Sequence, residues 1–175
     1  MAVVVVFGGL AVVGGLNWEG WDGRRPDVTG PRLLAEGTTG GAKWSVVQVR
    51  ERTWGDCLYL RQGGATVERT CTESGVLQHY ELSVRTLRGT TAPILFGMLP
   101  AAAARAEVAA DGGDIQDRFR KAGLVPLEVR SFGGSGRFVV QAAPPGPDWA
   151  GRNSVPIGVR DAADRPLTPR DRRPR

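Results

Sequence analysis

The stretch Lys43–Cys71, KWSVVQVRERTWGDCLYLRQGGATVERTC, holds both cysteines of the chain, and the rest is read outward from it. Leu58–Tyr59–Leu60 and the β-branched pair Thr66–Val67 flank Gly63–Gly64, which is a hairpin signal. The cysteines test the register. If Gly63, Gly64 and Ala65 form a three-residue loop, Gln62 pairs with Thr66, and counting outward sets Cys57 opposite Cys71. Residues that face each other across an antiparallel pair are close enough for a disulfide. A two-residue turn on Gly63–Gly64 would shift the pairing by one and put the sulfurs on opposite faces. The expectation is a β-hairpin closed by a Cys57–Cys71 disulfide, which places the domain in an oxidising compartment.

Before the hairpin, Val47 and Val49 alternate with Gln48 and Arg50, the pattern of a half-buried strand, and Trp44 and Trp54 bracket it as packing residues. Beyond the hairpin, Tyr80, Leu82 and Val84 alternate with Glu81, Ser83 and Arg85. Ile94–Leu95–Phe96 is a continuous apolar run. Leu127 and Val129 alternate again, and Phe138–Val139–Val140 returns after a glycine turn at Gly133–Gly136. Val155–Val159 is a last short strand, and Leu167 closes a turn over Asp161–Asp164. The Ala-rich segment AAAARAEVAADGG suits a helix by composition and a strand by its ending at Asp111–Gly112–Gly113. Ile115 and Phe119 are spaced for one helical turn. Short strands punctuated by turns predict an all-β domain with room for one short helix, an immunoglobulin-like β-sandwich, with a small antiparallel β-barrel as the alternative.

With 175 residues, 41% hydrophobic, the chain has room for one domain plus tails. Residues 2–16 carry no charge, and four glycines interrupt the run. The run is near the lower edge for a membrane span, which needs about 20 residues. It lacks a basic segment before it and an A-x-A site after it, so an anchor preceded by further basic sequence is favoured over a cleaved signal. Trp18 and Trp21 would sit at the membrane interface. Arg24 and Arg25 argue for a cytosolic domain by the positive-inside rule, and the cysteines argue the other way. The cysteines are given the greater weight. The expected organisation is an anchor or signal over 1–18, a Gly/Pro-rich linker over 19–42, a β-sandwich over 43–167, and an Arg/Pro-rich, unstructured tail over 168–175. The expected location is the cell membrane with the domain extracytoplasmic, the alternative being secretion after signal cleavage.

The order DCLYL (56–60), RTCT (69–72), FGMLPAAAARAEVAADGG (96–113), RFVVQAAPPG (137–146) and VRDAADRPL (159–167) resembles a set of small exported or membrane-anchored proteins of actinobacteria that have no assigned function. The similarity spans Lys43 to Leu167. It departs at Asp164, where glycine is usual, and at Leu99–Pro100, where Val–Pro is usual. The resemblance implies export and a β-domain, and it brings no catalytic residue with it.

The search for chemistry is nearly empty. His79 is the only histidine, so a multi-histidine metal site and a two-histidine relay are both out of reach. Two cysteines without C-x-x-C spacing do not build a zinc site. Neither a nucleophile elbow nor a phosphate-binding loop occurs. Glu68, Glu73 and Glu81 read as exposed strand positions and not as a glycosidase pair. No enzyme, metal or cofactor is expected. The net charge of +5 is concentrated toward the C-terminal end, where Arg160–Arg175 holds six Arg against three Asp. Arg61, Arg69 and Arg85 are the candidate basic patch. The function expected is an interaction or structural ectodomain whose partner is another envelope or membrane protein. The alternative is a module for an anionic polymer, with nucleic acid disfavoured and the oligomeric state open.

Overall fold

The computed structural model describes residues 30–72, 80–110, 123–133, 136–145, 149 and 151–168. They form twelve strands and no helix. These are β1 (Arg32–Thr39), β2 (Ala42–Glu51), β3 (Gly55–Gln62), β4 (Ala65–Cys71), β5 (Glu81–Thr86) and β6 (Pro93–Leu99). They continue with β7 (Arg105–Ala109), β8 (Leu124–Leu127), β9 (Arg130–Phe132), β10 (Gly136–Ala142), β11 (Ser154–Pro156) and β12 (Gly158–Arg160).

Three antiparallel sheets result. The first is a meander, β1-β2-β3-β4; the second has the order β11-β5-β6-β10-β9; the third is β12-β7-β8. The second sheet is the middle layer, because both of its faces are buried. From one face Ile94, Phe96, Phe138 and Val140 meet Trp44, Val46, Leu58 and Leu60 of the first sheet. From the other, Leu82, Val84, Leu95, Leu99 and Val139 meet Ala106, Val108, Leu127 and Val159 of the third sheet. The apolar run at Ile94–Phe96 follows from this: a strand covered on both faces has no wet position to mark with a polar residue. The β-sandwich predicted from the sequence is present in the packing of the first two sheets, and no sheet closes into a barrel.

Several local readings change. The segment 19–42, read as a linker, contributes all of β1 and the first residue of β2, so ordered structure begins well before Lys43. Gly40 and Gly41, both at positive φ, form the two-residue turn of the β1–β2 hairpin, with Thr39 opposite Ala42. The Ala-rich segment resolves as strand β7, because pairing with β8 on one side and β12 on the other overrides alanine's helical preference. The expected strand around Leu127 and Val129 divides. β8 ends at Leu127 in the third sheet, and β9 resumes at Arg130 in the middle sheet and turns back onto β10. The last strand divides likewise, β11 on the middle sheet and β12 on the third, with Ile157 between them donating its amide to the Tyr80 carbonyl at 2.9 Å. Leu167 closes the end by donating to the Val159 carbonyl at 2.8 Å. The helical turn expected around Ile115–Phe119 and the apolar run at 2–16 lie outside the described residues, as do tail positions beyond Thr168.

The β3–β4 hairpin reaches the expected cysteine pairing by another route. Gln62 pairs with Ala65, so the turn is the two-residue Gly63–Gly64, both at positive φ. The register then shifts between Leu60 and Arg61: Arg61 faces Thr66 while Leu60 faces Glu68. Val67 is the extra residue of a β-bulge, and the bulge restores the one-residue offset that the shorter turn removes. Cys57 therefore faces Cys71, and the two form a disulfide with Cα atoms 4.0 Å apart.

Candidate functional site

The outward face of the first sheet carries the densest group of polar and sulfur chemistry among the described residues. Its rows follow from the register. Leu33, Val47, Tyr59 and Arg69 lie across the four strands, and Val49, Cys57 and Cys71 form the next row. Continuing the β2 alternation Val47–Val49 by two residues places Glu51 on the same face. Opposite Glu51 stands Gly55, which has no side chain to compete for the space.

Glu51 is buried, with only 7% of its surface exposed. A buried carboxylate requires partners, and among the described residues two stand against it. Tyr59 donates its hydroxyl to Glu51 Oε1, and Arg69 Nη1 lies 3.7 Å from the same oxygen. Burial, and then Glu51 beside it, push the Tyr59 phenol far above its ordinary range. The Arg69 guanidinium in turn lies 5.8 Å from the centre of the Trp54 ring, and the Thr72 hydroxyl donates to the Trp54 carbonyl at 3.4 Å. Trp54 is 42% exposed, whereas Trp44 is buried and donates its indole N–H to Thr39 at 3.0 Å. Trp44 is thus a core residue, and Trp54 is the exposed aromatic of the face.

Glu51 also sits against the disulfide: a carboxylate oxygen and the two sulfurs of Cys57 and Cys71 all lie within 4.8 Å of one another. Both sulfurs are consumed by their mutual bond, so this is not a thiolate metal site as it stands.

The candidate basic patch does not assemble as one free surface. Arg69 is held by Glu51 on the outward face. Arg61 folds its guanidinium onto the Gly64 carbonyl of its own turn. Arg85, on the middle sheet, pairs with Glu68 and donates to the carbonyls of Val84 and Asn153 at 2.8 and 3.0 Å. Of the three carboxylates weighed for acid–base work, Glu68 is taken by Arg85, Glu81 is exposed on β5, and Glu73 lies outside the described residues, as does His79. The residue that sequence reasoning missed is Glu51. The signal was there in its phase, which continues the buried alternation of Val47 and Val49. No protein-family model, curated protein or solved structure matches the chain.

Proposed function

We propose that the protein is a non-catalytic, membrane-tethered β-domain working on the extracytoplasmic side, in protein interaction or envelope structure. The observation that carries this reading is the Cys57–Cys71 disulfide between adjacent strands, which accounts for both cysteines of the chain. Such bonds persist where thiols are not kept reduced. The apolar run at residues 2–16 supports a tether. Among the described residues no helix is long and apolar enough to cross a membrane, and that run lies outside them. The local pairing of Arg61, Arg69 and Arg85 counts against a polyanion-binding face and favours protein contact.

The test is made in the native host. Cells are quenched in acid and the protein is alkylated with a polyethylene-glycol maleimide before and after reduction; intact cells or spheroplasts are then treated with protease. The expected result is no label before reduction, two labels after it, and digestion of the domain from outside. Two free thiols, or full protection from external protease, would overturn the proposal.

A further inference from the structure

A buried carboxylate beside a buried disulfide is an unusual juxtaposition, and neither the packing of the sheets nor the proposed function calls for it. Cys57 is fully buried, Cys71 is 6% exposed and Glu51 is 7% exposed, so little water screens the group. The cation nearest to hand among the described contacts, Arg69, is already paired with Glu51.

We propose that Glu51 protects the Cys57–Cys71 bond from reduction by opposing the charge that reduction places on sulfur. In thiol–disulfide exchange a thiolate attacks one sulfur, the S–S bond breaks, and its electron pair leaves on the other sulfur as a thiolate. A second thiolate then attacks the mixed disulfide, releasing the oxidised reagent and the second protein thiolate. Two electrons come from the two reagent thiols, and water supplies the protons the new thiolates take up. Each release puts a negative charge on a sulfur that lies within 4.8 Å of the Glu51 carboxylate. Like charges at that separation in a poorly screened site oppose each release and slow reduction by about 10- to 100-fold; once the thiolates take up protons the opposition is gone, so the protection is one of rate. Tyr59 and Arg69 hold the carboxylate where it can do this. The inference concerns the chemistry of the bond and stands in whichever compartment the protein resides.

The experiment treats the full chain, its E51Q variant and its E68Q variant with excess dithiothreitol at pH 7, and follows the loss of the oxidised form with time by acid quench, alkylation and gel shift. E68Q removes a carboxylate of the same hairpin that pairs with Arg85 rather than facing the sulfurs. The expected result is that E51Q is reduced about tenfold faster or more, with E68Q within about twofold of the parent. An unchanged E51Q rate, or an equal acceleration in E68Q, would overturn the proposal. A second measurement is the ratio of reduction rates by cysteamine, a cationic thiol, and 2-mercaptoethanesulfonate, an anionic one. The folded parent should favour the cation more than the same chain does in urea, and E51Q should lose the excess. A folded-state ratio no greater than the unfolded one would also sink the idea.

Discussion

Glu51 and Tyr59 are buried and bonded to each other, with the partly exposed Arg69 beside them, so the removal of one member costs the others a favourable partner. Glu51→Ala removes the acceptor of the buried Tyr59 hydroxyl and the carboxylate beside Arg69, and should cost about 1–3 kcal/mol of folding stability by chemical denaturation. Glu51→Gln keeps an acceptor for the phenol and should cost less. The raised Tyr59 ionisation has a signed consequence. The folded state holds the phenolic proton more tightly than the unfolded chain, so this stabilisation is complete below the ordinary phenol value of 10.0 and is lost as pH rises above it. With two tyrosines in the chain, tyrosinate absorbance should show a delayed step well above pH 10 that Tyr59→Phe removes. A single alkaline step unchanged by that substitution would contradict the geometry. Glu51 escaped the sequence reading because a charged residue beside two arginines reads by default as solvated, although its strand phase said otherwise. Asp164 illustrates the converse. It has φ of 63°, alone among the described non-glycine residues in lying in the left-handed region. That is the position where the resemblance pointed to glycine, and aspartate tolerates the conformation better than most residues.

In the β3–β4 hairpin the turn and the bulge act as a pair. A two-residue turn alone would offset the cysteines; the extra residue at Val67 corrects it. Deleting Val67 should therefore straighten β4 and leave Cys57 opposite Cys71, with no free thiol by maleimide labelling. Deleting Val67 together with Glu68 removes one residue too many, sets Cys71 opposite Leu58, and should expose two free thiols. The cysteine pairing was legible in the sequence because alternation has a period of two and admits few solutions. Its mechanism was not legible, since a three-residue loop and a two-residue turn plus a bulge deliver the same offset. β1 was illegible for a different reason. It is an edge strand with a register shift between Leu33 and Ala35 and mixed exposure, so its composition resembles a linker.

The described residues form three layers with two cores between them and a smaller buried cluster, Val47, Val49, Cys57, Tyr59 and Cys71, on the far face of the first sheet, and the third layer is the part that sequence reading did not anticipate. Its strands are three to five residues long and include Pro126 within β8, too short to show a period. Two cores need not mean two unfolding events. Leu95 and Phe96 are neighbours on β6 and belong to opposite cores, so neither core can dissolve without dismantling a strand of the other. Trp44 lies in one core and Trp149 in the other. Within the Trp44→Phe variant and within the Trp149→Phe variant, the denaturant transition by tryptophan fluorescence should coincide with that by circular dichroism. Separate midpoints for the two probes in one variant would mean independent cores.

The position of β6 extends this to the slowest motions of the molecule. Its backbone is hydrogen-bonded to β5 on one edge and β10 on the other, and its two faces are covered by different sheets. No local opening frees its amides without breaking both ladders. In deuterated buffer the amides of Ile94–Leu99 should be the last to exchange, at the rate set by global unfolding. Those of β1, bonded on one edge only, should exchange far sooner. The strand at the centre of the sandwich would thus report the stability of the whole protein, one proton at a time.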